Sequence, residues 1–213
     1  MRRVLYLGIN LPGFQEGVEF VHCPIIAIKR RDLESLRFSF VQFLQSTHLI
    51  FTSRHAVLFT MEAIDYFFGD YLALKDKIAI VIGPSTKEAL SSCNITILQA
   101  KVFTQEGVIS LLDQIDLSDA YLFYPRSSRA RPDLAMYLQQ KQCSYHVCDL
   151  YDTYSVKLSH LPSLGEFDEI IFTSPSTVEA FFSQIKSIPK HIQLTPIGPI
   201  TAQAIQSQFL IRL

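Results

Sequence analysis

The sequence predicts an α/β protein of two similar domains with parallel sheets flanked by helices, joined by a two-stranded β connector with a cleft between them. Short apolar runs alternate with stretches of helical spacing along the whole chain, which is typical of parallel sheets covered on both faces. Two motifs also occur twice, in the same order. Residues 50–57 (IFTSRHAV) return as residues 171–178 (IFTSPSTV), and residues 82–90 (IGPSTKEAL) return as residues 197–205 (IGPITAQAI).

The individual elements follow from the period of the apolar residues and from turn signals. Strands are predicted at residues 3–9, 47–52, 77–82, 95–98, 120–124, 169–173 and 193–197, with extended segments at 23–28 and 144–154. Helices are predicted at residues 14–20, 32–44, 54–68, 108–114, 131–140, 176–186 and 199–208, and another begins at residue 85. Capping boxes are expected at Ser85 with Glu88 and at Ser176 with Glu179, because each pair has the S-x-x-E spacing.

Each repeated motif is predicted to lead a strand into the N-terminus of a helix. Helix N-termini present unpaired N–H groups and favour anions. In parallel sheets, ligands bind at the carboxyl ends of the strands, which is where all four motif copies are expected to lie. The repeat therefore predicts a site for a multiply negative ligand.

The domain boundaries are predicted from two extended apolar crossovers, residues 23–28 and 148–155. If these segments pair, they form the two-stranded connector. The first domain then consists of residues 1–28 and 151–213, and residues 29–150 form an inserted second domain.

Composition excludes several functional classes. A net charge of −1 provides no global field for nucleic acid or a membrane surface, so neither is an expected partner, and no segment predicts a membrane helix. The four cysteines form no CxxC pair and predict reduced thiols in a cytoplasmic protein. The six histidines are scattered, so the sequence predicts no metal site.

Taken together, the motifs resemble the uroporphyrinogen-III synthase family over almost the whole chain. The matching segments are residues 49–53 with 56–57, 81–86, 124–125 with Arg131 and Leu134, 150–153, 171–176 with Val178, and 197–201. No single segment is specific, but their order and spacing together are. Residues 7–10, Ser127 and Gln142 depart from the family pattern, and the chain ends where many relatives continue through another strand and helix.

The resemblance implies a cyclising lyase of haem biosynthesis that uses neither a metal nor an organic cofactor. It closes hydroxymethylbilane, a linear tetrapyrrole with eight carboxylates, to uroporphyrinogen III with inversion of ring D and loss of water. We expect a monomer, and a hand-over of substrate from hydroxymethylbilane synthase is a further implied interaction.

The candidate site residues combine the repeat with this resemblance. Tyr151 is the catalytic candidate, because the resemblance assigns it to the cleft wall near the departing hydroxyl, to which a phenol can donate a proton. The expected substrate-binding residues are hydroxyls at the repeated strand ends and nearby arginines, namely Ser53, Thr86, Ser174, Thr201, Arg54, Arg126 and Arg131. Helix capping alone also accounts for the serines and threonines, and both roles can hold at once. For the arginines the alternative is a solvated charge cluster.

Two other functions fit the same residues. One is a non-catalytic two-domain binder of a polyanionic small molecule. The other is a nucleotide or phosphosugar enzyme, which the lack of GxGxxG and GxxxxGK[ST] motifs disfavours. Formation of isomer III of uroporphyrinogen discriminates the lyase from both, because spontaneous closure of hydroxymethylbilane gives isomer I.

Overall fold

The computed structural model describes residues 1–158, 162–185 and 187–210. Its strands are β1 (Arg2–Tyr6), β2 (Val18–His22), β3 (Ile26–Arg30), β4 (His48–Phe51), β5 (Ile78–Val81), β6 (Thr96–Gln99), β7 (Tyr121–Ser127), β8 (Ser144–Ser155), β9 (Glu169–Phe172) and β10 (Gln193–Pro196). Its helices are α1 (Arg37–Gln45), α2 (Arg54–Phe68), α3 (Pro84–Glu88), α4 (Gln105–Leu112), α5 (Asp133–Gln140), α6 (Pro175–Gln184) and α7 (Pro199–Leu210). The α/β fold class is confirmed.

The chain divides into two compact units. Unit 1 comprises residues 1–28 and 153–213, and unit 2 comprises residues 29–152. The domains drawn from the sequence, 1–28 with 151–213 and 29–150, differ from these units only at residues 151 and 152. That difference matters for the candidate site, because it assigns Tyr151 to unit 2 rather than to the unit formed by both ends of the chain.

The larger sheet, most of which lies in unit 2, has the strand order β3-β8-β7-β4-β5-β6. Strands β8, β7, β4, β5 and β6 are parallel to one another. The N–H of Arg31 donates to the carbonyl of Leu150 at 3.0 Å, and the N–H of Val156 donates to the carbonyl of Ile25 at 2.8 Å, so β3 runs antiparallel to β8. The predicted extended segment at residues 23–28 is shifted, since β3 starts at Ile26.

Unit 2 buries both faces of its sheet, as successive side chains of a strand point to opposite faces. On one face Leu122 and Tyr124 pack with Ile50, Ile80 and other apolar residues. On the other face the intervening Phe123 joins an aromatic cluster, with centroid distances of 5.8 Å to Phe40 and 5.4 Å to Phe43. Covered faces explain why these strands are continuously apolar.

Unit 1 has a smaller parallel sheet with the order β10-β9-β1-β2. Its core includes Leu5, Ile170, Phe172 and Phe181, all fully buried. The predicted helix at residues 14–20 is wrong. Residues 18–22 instead form β2, which pairs in parallel along the whole of β1, and Gly17 has a φ of 76°, which ends the preceding turn in a conformation that glycine favours.

Side-chain caps stabilise the strand-to-helix turns of the IFTS motifs. The Ser53 hydroxyl caps α2 by accepting the N–H of Ala56 at 3.0 Å. In α6 the N-cap is Ser174, which forms a reciprocal capping box with Thr177. The boxes expected at Ser85 and Ser176 are wrong, because both residues lie inside their helices, one position after a proline at the first helical position.

Candidate active site

The candidate site begins at the carboxyl edge of the unit 2 sheet. Parallel pairing brings the ends of β8, β7, β4 and β5 to one edge, where ligands of such sheets bind. Ser53 follows β4 and Thr86 follows β5, while Arg126 lies near the end of β7. Tyr151 is within β8, where it pairs with Ser127, the last residue of β7. Four of the eight candidate residues are therefore gathered by the topology of one unit.

A hydrogen bond of 2.8 Å joins the hydroxyl of Tyr151 to Oγ of Ser53. These residues lie 98 positions apart in the sequence. The Tyr151 side chain packs beside the rings of Phe59 and His55, at centroid distances of 5.5 and 6.5 Å, and the residue is only 5% exposed. Because Ser53 is itself fixed as the cap of α2, the phenol is held in one orientation.

The electrostatics keep this phenol protonated. Burial raises the pKa of Tyr151 above its usual range, and the hydrogen bond between Tyr151 and Ser53 partly opposes that rise. At neutral pH the side chain is therefore a proton donor. Ser53 is placed to stabilise the phenolate that forms if the proton is given away.

A second buried phenol lies close to the first. The hydroxyl of Tyr124 is 3.4 Å from Oγ1 of Thr52, and burial raises the pKa of Tyr124 too. Sequence reasoning placed Tyr124 in a matching segment but did not make it a site residue. Its position near the end of a predicted buried strand was the available signal, since the side chain of such a residue can reach the carboxyl edge.

The arginines at this edge are paired with carboxylates. Nε of Arg126 donates to Asp149 at 2.9 Å, and its guanidinium lies 5.7 Å from the centre of the Tyr124 ring. Arg131 donates to Glu106 at 2.7 Å and holds the pKa of that carboxyl down at about 2. These pairs neutralise much of the positive charge that Arg126 and Arg131 bring to this edge. Arg54 is the first residue of α2 and is exposed.

Thr86 lies in the first turn of α3 and is 1% exposed. This helix has five residues and its first is a proline without an N–H, so it offers a much weaker anion site than the sequence predicted. The remaining candidates belong to unit 1. Ser174 caps α6, and Thr201 is buried in the first turn of α7.

The chain is similar to known proteins along most of its length. The family model described as "Uroporphyrinogen-III synthase HemD" matches residues 14–210. The chain belongs to the uroporphyrinogen-III synthase family. It is 26% identical over 199 residues to the "Putative uroporphyrinogen-III synthase" of Methanothermobacter thermautotrophicus, covering 86% of this chain and 78% of the relative.

Solved structures show the fold of the uroporphyrinogen-III synthase family in the same way. A mutant uroporphyrinogen III synthase of Thermus thermophilus has a TM-score of 0.68 at 18% identity, with 98% of this chain and 90% of that chain covered. The enzyme of Helicobacter pylori has a TM-score of 0.64 at 18% identity, with the same coverage. The function expected from the motifs, that of a cyclising uroporphyrinogen-III synthase in haem biosynthesis, is confirmed.

Within the described residues, no three His, Cys, Asp or Glu side chains converge on a point where they could hold a metal ion. None of the helices in the described part of the chain has the length and apolar character needed to cross a bilayer.

Proposed function

We propose that the carboxyl edge of the unit 2 sheet is the catalytic part of this uroporphyrinogen-III synthase, with Tyr151 as the proton donor. The observation that carries the proposal is the 2.8 Å hydrogen bond between Tyr151 and Ser53. It holds a buried, protonated phenol at the ends of parallel strands. The substrate is hydroxymethylbilane and the product is uroporphyrinogen III.

The reaction needs a proton at the departing oxygen. Closure breaks the C–O bond of the hydroxymethyl group and joins that carbon to the α-position of ring D that held the methylene bridge to ring C. The bridge bond breaks and re-forms at the free α-position of ring D, which loses its proton, and water is released. Tyr151 donates its proton to the leaving hydroxyl, and the Ser53 hydroxyl then donates to the phenolate oxygen. The proton that ring D loses on closure restores the phenol, so the balance is the loss of one water.

Ser53 is suited to support the phenolate. Its oxygen accepts the N–H of Ala56 at the start of α2, which polarises its own O–H towards Tyr151. The pKa of Tyr151 is consistent with this role. Burial raises it, whereas the hydrogen bond with Ser53 lowers it and so favours the phenolate. Positioning of the bent substrate supplies much of the remaining rate acceleration.

Recognition of the eight substrate carboxylates is distributed over many groups. A substrate carboxylate that displaces Asp149 from Arg126, or Glu106 from Arg131, exchanges one ion pair for another, so each contact adds little free energy. We assign the remaining contacts to Arg54 and Thr86 in unit 2, and to Ser174 and Thr201 in unit 1.

The wider setting is part of the same proposal. The domains are those drawn from the sequence, except that residues 151 and 152 belong with residues 29–150. The protein is a cytoplasmic monomer that receives hydroxymethylbilane from hydroxymethylbilane synthase. All four cysteines are free, which supports a reducing compartment.

The test is the isomer of the product. Purified protein is incubated with hydroxymethylbilane, and the uroporphyrinogen isomers are separated; isomer III is expected, whereas isomer I alone would overturn the proposal. Tyr151→Phe removes one hydroxyl and keeps the ring, and should lower kcat by about 10- to 100-fold, roughly 1.4 to 2.7 kcal/mol.

A matched control lies on the same strand. Tyr154 is also on β8 but is exposed, so Tyr154→Phe should leave kcat unchanged. Full activity in Tyr151→Phe would remove the assigned proton donor.

A further inference from the structure

Two large apolar side chains project from the turn between β6 and α4. Val102 is 60% exposed and Phe103 is 58% exposed. Single exposed apolar residues are ordinary. These two are adjacent, however, and they lie at the carboxyl edge of the same sheet that carries Tyr151 and Ser53.

The backbone of this turn is held by one internal hydrogen bond and by contacts with β5 and α4. The N–H of Ala100 donates to the carbonyl of Val81 at 2.9 Å, and the N–H of Thr104 donates to the carbonyl of Val102 at 2.9 Å. Gly107 of α4 packs so closely that a Cβ built on it would lie 1.9 Å from the oxygen of Val102. The exposed side chains therefore extend from a turn that is tied to β5 and to α4.

Phe103 lies against the backbone at the end of β5. A Cβ built on Gly83 would be 3.2 Å from Cγ of Phe103. Phe51 of β4 pairs with Val81 of β5, and the N–H of Ile82 donates to the carbonyl of Phe51 at 3.0 Å. Ser53 and Gly83 each come two residues after this last pair, so they leave adjacent parallel strands at the same edge. The hydroxyl of Tyr151, Ser53, Gly83 and the ring of Phe103 thus follow one another along the edge.

We propose that Val102 and Phe103 form an apolar platform on which one pyrrole ring of the tetrapyrrole substrate packs. This inference rests on the proposed function of the same edge. The polar groups of the site recognise carboxylates and the departing hydroxyl, but the substrate also has four flat aromatic rings. An exposed aromatic ring attracts such a ring by apolar burial and by edge or offset stacking.

The platform is a binding feature that adds little to the fold. Phe103 contributes little to the core because more than half of it is exposed. Its removal should therefore spare the melting temperature while weakening the hold on the substrate. This separates a role in binding from a role in packing.

The test is steady-state kinetics with hydroxymethylbilane. Phe103→Ala should raise KM by about three- to tenfold, the range expected for one aromatic contact, with kcat within twofold and the melting temperature unchanged. Phe103→Tyr keeps the ring and should keep the KM of the unmodified protein. The control is Phe38→Ala, because Phe38 is 69% exposed in the same unit but lies on α1; its KM should not change.

Three results would overturn the platform: an unchanged KM in Phe103→Ala, an equal rise in Phe38→Ala, or a rise in Phe103→Tyr as large as in Phe103→Ala. Failure of the proposed function is recognised separately, because the unmodified protein would then form no isomer III. Gly107→Ala gives a second check. It keeps both side chains but forces the Val102 carbonyl to move, and should also raise KM.

Discussion

The two units build the same four-strand arrangement around the repeated motifs but surround them differently. The order β8-β7-β4-β5 in unit 2 corresponds to β2-β1-β9-β10 in unit 1. In unit 2 a further strand, β6, pairs with β5, and the turn after it lays Phe103 against Gly83. In the described part of unit 1, β10 is an edge strand, and a Cβ built on Gly198 would meet nothing within 4 Å.

The serines of the repeated IFTS motif, Ser53 and Ser174, also have different surroundings in the two units. Ser53 and Ser174 cap equivalent helices, but only Ser53 also contacts a phenol, whereas Ser174 exchanges hydrogen bonds with Thr177 of its own helix. The repeat thus sets the backbone, and neighbours outside the repeat supply the chemistry. Changes made in matched pairs should therefore have unequal effects.

The largest difference in unfolding free energy is expected when one ion pair of each unit is broken. Arg2 pairs with the carboxylate of Glu169, whose side chain is only 3% exposed and also accepts a hydrogen bond from Thr195. Arg2→Ala leaves that charge buried without its partner and should lower the free energy of unfolding by about 2 kcal/mol. Arg131→Ala, at an exposed pair, should cost less than about 1 kcal/mol. Urea denaturation of both variants measures this, and equal losses would contradict the assignment.

The next difference concerns the two capping serines. Ser53→Ala and Ser174→Ala should each lower the free energy of unfolding by about 1 kcal/mol, the usual cost of a lost N-cap. Only Ser53→Ala also removes the partner of Tyr151, so kcat should fall by about tenfold in that variant alone. Ser174→Ala should change KM rather than kcat. A similar drop of kcat in both variants would show that the repeat is catalytically symmetric.

The two glycines before proline allow a smaller test. A methyl group at Gly83 must push the Phe103 ring aside by a few tenths of an ångström, so Gly83→Ala should lower the free energy of unfolding by less than about 1 kcal/mol. Gly198→Ala meets open space and should be neutral, or stabilising by about 0.5 kcal/mol through the unfolded chain. Denaturation midpoints distinguish the two, and a reversed order would refute the contact with Phe103.

The smallest effect depends on pH. Arg131 lowers the pKa of Glu106 from 4.5 to about 2 in the folded protein. A depressed carboxyl pKa stabilises the fold above the unfolded pKa, and that contribution is lost as pH falls through the folded value. The difference in unfolding free energy between the unmodified protein and Arg131→Ala should therefore be present at pH 6 and vanish towards pH 2. It stays below about 1 kcal/mol because the Glu106 side chain is half exposed. If the difference in unfolding free energy between the two proteins instead increased as the pH is lowered, the assigned ion pair would be contradicted.

Local patterns predicted much of the fold. The helix at residues 54–68 has the bounds of α2, because its apolar period, its serine cap and Gly69 after its end all agree. Residues 14–20 lacked such agreement. Val18, Phe20 and Val21 fit either a strand or a helix, and pairing with β1, a contact that no local pattern contains, decided for a strand.

The site was predictable as a set of positions but not as a set of contacts. The motifs predicted that Ser53 and Thr86 follow two adjacent strands of the sheet, and both residues do so. The bond from Ser53 to Tyr151 depends on how β8 is aligned with β7, which includes a register shift after Arg126. The partners of Arg126 and Arg131 are acidic residues on β8 and α4, and sequence spacing does not reveal them.

The position of β10 also bears on self-association. In the part of the chain that the structure describes, β9 pairs with one side of β10 and no strand pairs with the other. An open strand edge is a template on which another molecule can add a strand and start an aggregate. Here the exposed edge is only four residues long and ends in Pro196, which has no N–H to donate. A short edge ending in proline offers few hydrogen bonds to a strand of another molecule. The open edge of β10 is therefore a poor starting point for aggregation.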